Sequence, residues 1–199
     1  MVTRNGRKVR PVIGILALQG DVQKHRDKLA ALGADVQDVR TAEDVERLSG
    51  LIIPGGESTT MTKLMMPELR EALLQFSRTR PMWGTCAGMI MLAQDIGDPR
   101  VSTLALMDLN VDRNGFGRQV HSFEAKLRVA EEVGLPDTPL PGVFIRAPRV
   151  KSFLPSVRPL VWLEDEPVCW RQGNLLASSF HPELTDDDRL HQYFLAMSA

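Results

Sequence analysis

The sequence predicts an α/β protein: three layers, helix–sheet–helix, around a mostly parallel central sheet, with extra antiparallel strands in the second half. Two observations carry this. In the first half, short runs of branched apolar residues alternate with stretches of helical spacing, the pattern of buried parallel strands joined by helices. In the second half, apolar and polar residues alternate with period two, the pattern of strands with one solvated face.

The run Val12-Ile13-Gly14-Ile15-Leu16-Ala17-Leu18 is short, apolar and rich in branched residues, as a buried strand requires. Asp21 to Leu32 reads as a helix with Val22, Leu29 and Leu32 on one face and Gly33 as its stop. Val36 and Val39 suggest a second strand. The sequence Thr41-Ala42-Glu43-Asp44 resembles a capping box opening a short helix through Leu48. Gly50-Leu51-Ile52-Ile53 is a third strand, broken at Pro54-Gly55-Gly56. A helix is expected from about Pro67 to Phe76, a strand at Pro81-Met82-Trp83, and a helix from Ala87 to Gln94.

Beyond this point the period changes. Met107, Leu109 and Val111 alternate with Asp108, Asn110 and Asp112, and Phe123, Ala125, Leu127 and Val129 alternate with Ser122, Glu124, Lys126 and Arg128. Val143-Phe144-Ile145 is a further strand. Val168-Cys169-Trp170 and Leu175-Leu176-Ala177 flank Gln172-Gly173-Asn174 and predict a hairpin.

Composition narrows the class. Of 199 residues, 43% are hydrophobic and 25% charged, which fits a folded globular chain rather than a disordered one. A net charge of −1 gives no overall field to draw nucleic acid or anionic lipid, so neither is expected as a partner. Arg4, Arg7, Lys8 and Arg10 form a basic stretch, read as a solvated tail over residues 1–10 that precedes a single domain over 11–199. The apolar run after that tail is short for a signal peptide, and Gln19-Gly20-Asp21 offers no small-x-small cleavage site. No apolar stretch has the length to span a bilayer. The two cysteines, Cys86 and Cys169, have neither metal-type spacing nor a disulfide framework, and a reducing cytoplasm is the expected location.

The chemistry sits at strand ends. Gly84-Thr85-Cys86-Ala87-Gly88 lies between a strand and a helix, the G-x-nucleophile-x-G pattern of a nucleophile elbow with cysteine in place of serine. The helix that follows points its N-terminus at the sulfur and favours thiolate. The Ala87 N–H is placed to stabilise an oxyanion. A buried cysteine between glycines is also common packing, so a base must be found. Of His25, His121, His181 and His191, only His181 stands in a suggestive setting, Ser179-Phe180-His181-Pro182-Glu183, directly after an apolar strand. In an extended segment Glu183 faces the same way as His181 and can orient its imidazole. His25 and His191 look like helix-face residues and His121 sits in a polar turn. Pro54-Gly55-Gly56-Glu57-Ser58, at the end of another buried strand, lets backbone approach a ligand closely. Ligands of parallel sheets bind beyond the carboxyl ends of the strands, where all three motifs fall.

These motifs resemble the triad glutaminases of the class I amidotransferases, whose sheet is flavodoxin-like. Within that class the sequence is similar to the PdxT/SNO family, the glutaminase subunits of pyridoxal 5′-phosphate synthase. The resemblance runs in family order from about Val12 to Phe194. It includes Ala17-Leu18-Gln19-Gly20-Asp21, Pro54-Gly55-Gly56-Glu57-Ser58-Thr59-Thr60-Met61 and Trp83-Gly84-Thr85-Cys86-Ala87-Gly88. The strings Asp112-Arg113-Asn114-Gly115-Phe116-Gly117-Arg118-Gln119-Val120, Ser122-Phe123-Glu124-Ala125 and Gly142-Val143-Phe144-Ile145-Arg146-Ala147-Pro148 follow, then Ser179-Phe180-His181-Pro182-Glu183-Leu184-Thr185. The basic tail departs from the family as an extension, and the segment 62–80 is somewhat short, which bears on a partner-facing surface.

The resemblance implies Cys86 as nucleophile, His181 as base and Glu183 as its orienting acid. It implies an oxyanion hole from Gly56 and Ala87, and glutamine contacts from Gly55, Gly56, Glu57, Arg113, Ile145 and Arg146. An arginine fork suits the α-carboxylate of free glutamine. The implied partner is the synthase subunit of a hetero-oligomer, which receives the ammonia, and no metal or cofactor is implied for this chain. Three alternatives stay open: a glutaminase subunit serving a different synthase, a non-catalytic binding subunit of the same fold, and a related cysteine hydrolase or chaperone of the same architecture.

Overall fold

The structure, a computed structural model, describes residues 10–113, 115, 122–131, 134, 136 and 138–199. The basic stretch of residues 1–9, Asn114, the run 116–120 and His121 lie outside the described residues.

The first half builds the parallel sheet. Strand β1 (Val12–Leu16) leads into helix α1 (Val22–Ala31), capped by the Asp21 carboxylate and stopped before Gly33, whose φ of 83° suits glycine. Strands β2 (Asp35–Val39) and β3 (Gly50–Ile53) flank β1 in parallel register. Helices α2 (Ser58–Leu64) and α3 (Pro67–Phe76) follow, then β4 (Met82–Thr85) and α4 (Ala87–Leu92). Pro67 opens α3 at the position where a missing N–H does no harm.

A small sheet then forms from β5 (Ala93–Asp95), β6 (Met107–Asp112) and β9 (Arg149–Phe153). The remaining strands are β7 (Ser122–Val129), β8 (Leu140–Ile145), β10 (Arg158–Leu163), β11 (Glu166–Gln172) and β12 (Leu175–Ser178), before helix α5 (Arg189–Met197). The main sheet has nine strands in the order β2-β1-β3-β4-β12-β11-β10-β7-β8. Its first five strands are parallel and the rest join antiparallel.

Alternating side chains send the sheet's apolar residues to opposite faces. Leu51, Ile53, Met82 and Ala177 pack with Met61, Leu69, Leu73 and Met89 from α2, α3 and α4. Ile13, Ile15, Ile52, Trp83 and Leu176 pack with Leu29 of α1 and with Leu190 and Phe194 of α5. The sheet is thus covered on both faces, as the buried runs predict. The alternating segments at 107–112 and 122–129 are strands, with Leu109, Val111 and Leu127 turned inward. The hairpin of β11 and β12 turns at Gly173, φ 59°.

Several local expectations are corrected. The helix expected from Thr41 through Leu48 is only a 3-10 turn over Glu43–Val45. Half of the capping box does form: Asp44 accepts the Thr41 N–H at 2.8 Å. The helix expected to reach Gln94 ends at Leu92, where Ala93 turns extended and enters β5. Helix α2 was not expected, because three threonines in seven residues favour helix weakly; the Glu57 cap starts it. None of the described helices is long and apolar enough to cross a membrane.

Candidate active site

Strand β4 ends in a sharp elbow. Cys86 takes φ 49° and ψ −107°, a conformation that an L-residue holds only when its surroundings over-determine it. Those surroundings are the flanking glycines. A Cβ on Gly84 would lie 2.4 Å from the Gly88 carbonyl, and one on Gly88 would lie 1.9 Å from the Ile53 oxygen. Both obstacles are backbone, so nothing can yield. The Cys86 N–H donates to the Ser178 carbonyl at 2.8 Å, tying the turn to the end of β12. Ala87 opens α4, and the first N–H groups of a helix have no acceptor within it.

Because β12 lies beside β4 in parallel, with Ser178 opposite Thr85, the chains leaving the two strands emerge side by side. That adjacency carries His181 to the elbow. The His181 N–H donates to the Val143 carbonyl at 2.8 Å, which draws in the end of β8. His181 Nδ1 and Glu183 Oε1 are 2.7 Å apart. The link between them differs from the extended segment expected: Pro182–Leu184 is a 3-10 turn, with Pro182 supplying its fixed φ at the first position. Glycine at position 55 lets the ring close in, since a Cβ there would stand 2.4 Å from His181 Cε1 and 3.4 Å from Cys86 Cβ.

Electrostatics follow from this packing. Burial disfavours a charge on His181, but hydrogen bonds to Cys86 and Glu183 prevail and raise its pKa to about 10. Burial also opposes the charge on Glu183, and His25 and His181 outweigh it, so the carboxyl titrates below its usual range. The resulting state is a protonated imidazole between an anionic carboxylate and the sulfur.

A narrow cleft of about 100 Å³ opens over the elbow. It brings together Gly56, Glu57, Cys86, Ala87, Arg113, Ile145 and Arg146, whereas Gly55, His181 and Glu183 of the expected site do not line it. Gly55 is buried and instead abuts the His181 ring. Ser58 and Ile90 also line the cleft and were not singled out from the sequence. Ile90 stands one helical turn after Cys86, a spacing that would have found it. Ser58 Oγ is buried and has no hydrogen-bond partner among the described residues.

The charged residues of the cleft are unequally free. Glu57 caps α2, accepting from the Thr59 and Thr60 N–H groups at 3.1 and 2.7 Å and from both threonine hydroxyls. Partial burial opposes its charge, but these bonds win and lower its pKa to about 2. Arg113 reaches Asp98 at 2.6 Å and Glu57 at 3.2 Å. Arg146, at φ 43°, is exposed and forms no ion pair among the described residues. The loop after β1 props the opposite side: Gln19 Oε1 accepts the Glu57 N–H at 2.5 Å, and the Asp21 N–H donates to the Gly55 carbonyl at 3.3 Å. A cavity of about 780 Å³ lies elsewhere, between β7, β8 and residues 184–187. Among the described residues no group of three or more His, Cys, Asp or Glu could hold a metal ion.

Fold and cleft together define an α/β protein with a cysteine elbow facing a buried His–Glu pair at the carboxyl ends of parallel strands. The chain belongs to the SNO glutamine amidotransferase family, whose profile matches residues 15–199. It is 50% identical to pyridoxal 5′-phosphate synthase subunit PdxT of Desulforamulus reducens, over 94% of this chain and 98% of that one. It is 49% identical to the subunit of the same name from Thermus thermophilus, over 96% of this chain and 99% of the relative. A crystal structure of a glutamine amidotransferase superposes with a TM-score of 0.86 at 45% identity, covering 94% of this chain and 98% of that one.

Proposed function

We propose that this protein is the glutaminase subunit of a pyridoxal 5′-phosphate synthase, releasing ammonia from L-glutamine for a partner synthase subunit. One observation carries the reading: the strained Cys86 elbow lies against the ring of His181, which is itself held by Glu183. The relatives named PdxT supply the pathway and the partner.

The chemistry follows from the positions. The Cys86 thiolate attacks the side-chain amide carbon of glutamine, and the carbonyl π pair moves to the oxygen. The N–H groups of Ala87 and Gly56 receive that oxyanion. His181 gives its proton to the departing nitrogen, ammonia leaves, and a thioester to Cys86 remains. His181, now neutral, takes a proton from water as the water attacks the thioester, and glutamate departs with the thiolate restored. Glu183 stabilises the imidazolium at both stages. Arg146 and Arg113 receive the α-carboxylate, with Glu57 as acceptor for the α-ammonium and Ile145 against the side chain. Arg146, without an ion pair among the described residues, is the stronger candidate of the two arginines. Two free thiols fit a reducing compartment, so the cytoplasm is the proposed location.

The test supplies glutamine to the purified chain, alone and with the synthase subunit, and follows glutamate and ammonia. Hydrolysis that disappears in Cys86→Ser is expected. Hydrolysis surviving in Cys86→Ser overturns the nucleophile. Stimulation by a different synthase, and not by the pyridoxal phosphate one, leaves the chemistry and overturns the pathway.

A further inference from the structure

His25 and His191 do not line the cleft, yet both are fully buried. They come from α1 and α5, 166 residues apart, and their rings meet with His25 Nδ1 3.0 Å from His191 Nε2. The other nitrogen of His25, Nε2, lies 3.3 Å from Thr85 Oγ1, on the residue before Cys86. It also lies 3.5 Å from Glu183 Oε2. The two oxygens of Glu183 are thus treated differently. Oε1 is hydrogen-bonded to His181, whereas Oε2 is buried with no hydrogen bond of its own among the described residues. Trp83 stands edge-on to both rings, with centroids 5.9 and 5.0 Å away, and fixes their orientation.

Of the two proton arrangements open to His25, one suits this set better. With the proton on Nδ1, His25 would point a lone pair at a carboxylate oxygen in a site without water-like screening. With the proton on Nε2, the N–H donates to Thr85 Oγ1 at 3.3 Å and turns its positive end toward Glu183 Oε2 at 3.5 Å, and Nδ1 accepts from His191 Nε2–H. The ring atom then left over is His191 Nδ1, which has no partner among the described residues, while Glu183 Oε2 keeps an electrostatic contact with the His25 N–H at 3.5 Å. An unpaired lone pair on a neutral ring is a smaller penalty than an unpaired face of a carboxylate. Burial also keeps both rings neutral. Around His25, Glu183 and Asp21 favour a charge and His181 and Lys28 oppose it, and burial decides the balance downward. For His191, burial, with His25 and Lys28 adding to it, lowers the pKa to about 2.

We infer that His25 is a positioning residue for the glutaminase reaction: its Nε2–H holds the outer oxygen of Glu183, so that the inner oxygen stays aligned on His181, and His191 locks the tautomer that makes this possible. The inference rests on the catalytic reading of Cys86, His181 and Glu183. Since His25 is remote from the cleft, its loss should reach the chemical step and leave glutamine binding alone.

The experiment compares wild type, His25→Leu and His25→Gln in complex with the synthase subunit, with rates divided by the Cys86 sites that a glutamine-mimicking alkylator titrates. Leucine removes the donor; glutamine restores an amide N–H near the position of Nε2. Outer partners of a functional side chain commonly matter by 10–100-fold, so kcat should fall at least about tenfold in His25→Leu with KM within about twofold. His25→Gln should recover most of that loss. Equal kcat per titrated site in His25→Leu, or a His25→Gln variant as slow as His25→Leu, overturns the inference and leaves the glutaminase reading intact. Absence of glutamine hydrolysis by wild type overturns both. If His25→Leu does not fold, nitrogen-15 histidine NMR of the wild-type chain decides. A neutral His25 protonated on Nε2 at pH 7 supports the role, and an Nδ1–H tautomer or an imidazolium sinks it.

Discussion

The surroundings of the two cysteines differ in everything except burial. Cys86 is 7% exposed and Cys169 fully buried, and neither is in a disulfide. Cys86 sits just past the end of a parallel strand, in a strained conformation, with a helix N-terminus, a His–Glu pair and an arginine without an ion pair among the described residues gathered around it. Cys169 sits in the middle of β11, paired on one side with Val161 and on the other with Ser178, inside an apolar cluster. Burial there pushes the thiol far above its ordinary range. On the proposed reading, what makes a thiol chemical in this molecule is its place at the carboxyl edge of the sheet, where side chains from distant segments converge. The middle of a strand offers only neighbours that match it.

The sharpest way to break that contrast is to remove the proposed base. His181→Ala should lower glutamine turnover by roughly 10²-fold or more, the usual range for a general acid–base residue. Glu183→Gln should lose less, because it orients and stabilises without exchanging the proton itself. The pH dependence of kcat/KM carries the sign. The competent free enzyme holds one proton on His181, and that proton is retained until pH approaches about 10. The alkaline limb should therefore lie near 10 in wild type. Glu183→Gln removes one of the partners that raise the pKa, so the limb should retreat toward the ordinary histidine value. A limb that stays in place shows that Glu183 does not act through His181.

A smaller effect separates the two arginines. Arg146 is exposed and without an ion pair among the described residues, whereas Arg113 is already engaged by Asp98 and Glu57. A charge-assisted hydrogen bond contributes about 1.5–3 kcal/mol, so Arg146→Ala should raise KM for glutamine by roughly 10–100-fold with a modest change in kcat. Arg113→Ala should act more weakly on KM and release Glu57, disturbing the start of α2 as well. If Arg113→Ala raises KM more than Arg146→Ala does, the order of the two in glutamine recognition is reversed.

What the sequence made legible follows the same division. The elbow, the His-x-Glu pair and the Gly-Gly turn were readable because each is short, and because its chemistry demands particular residue types at fixed spacing. Strands β1, β3 and β4 were readable because both of their faces are buried, which leaves an uninterrupted apolar run. Strand β9 was not read, since most of its residues face solvent and no alternation survives. Strand β10 carries Pro159 and register shifts, which blur the pattern. The burial of His25 and His191 left no local trace at all. Their contact joins the first helix to the last, and nothing near either residue in the chain distinguishes a buried imidazole from one on a solvated helix face.

The smallest effect tests the other half of the contrast. Cys169→Ser replaces a buried sulfur with a hydroxyl amid Val161, Val168 and Leu176. Burying a hydroxyl without a partner costs about 1–3 kcal/mol by protein mutational measures, so thermal stability should fall. The neighbouring Ser178, opposite Cys169 on β12, accepts from Trp83 Nε1 at 3.2 Å. Activity should not follow stability. The substitution leaves the elbow, the His–Glu pair and the cleft untouched, so kcat and KM for glutamine should match wild type at temperatures where the variant is folded. The same glutamine-mimicking alkylator should label one thiol per chain in both proteins. Loss of labelling or of turnover in folded Cys169→Ser would mean that the second thiol takes part in the reaction, and that position at the strand end is not what separates the two.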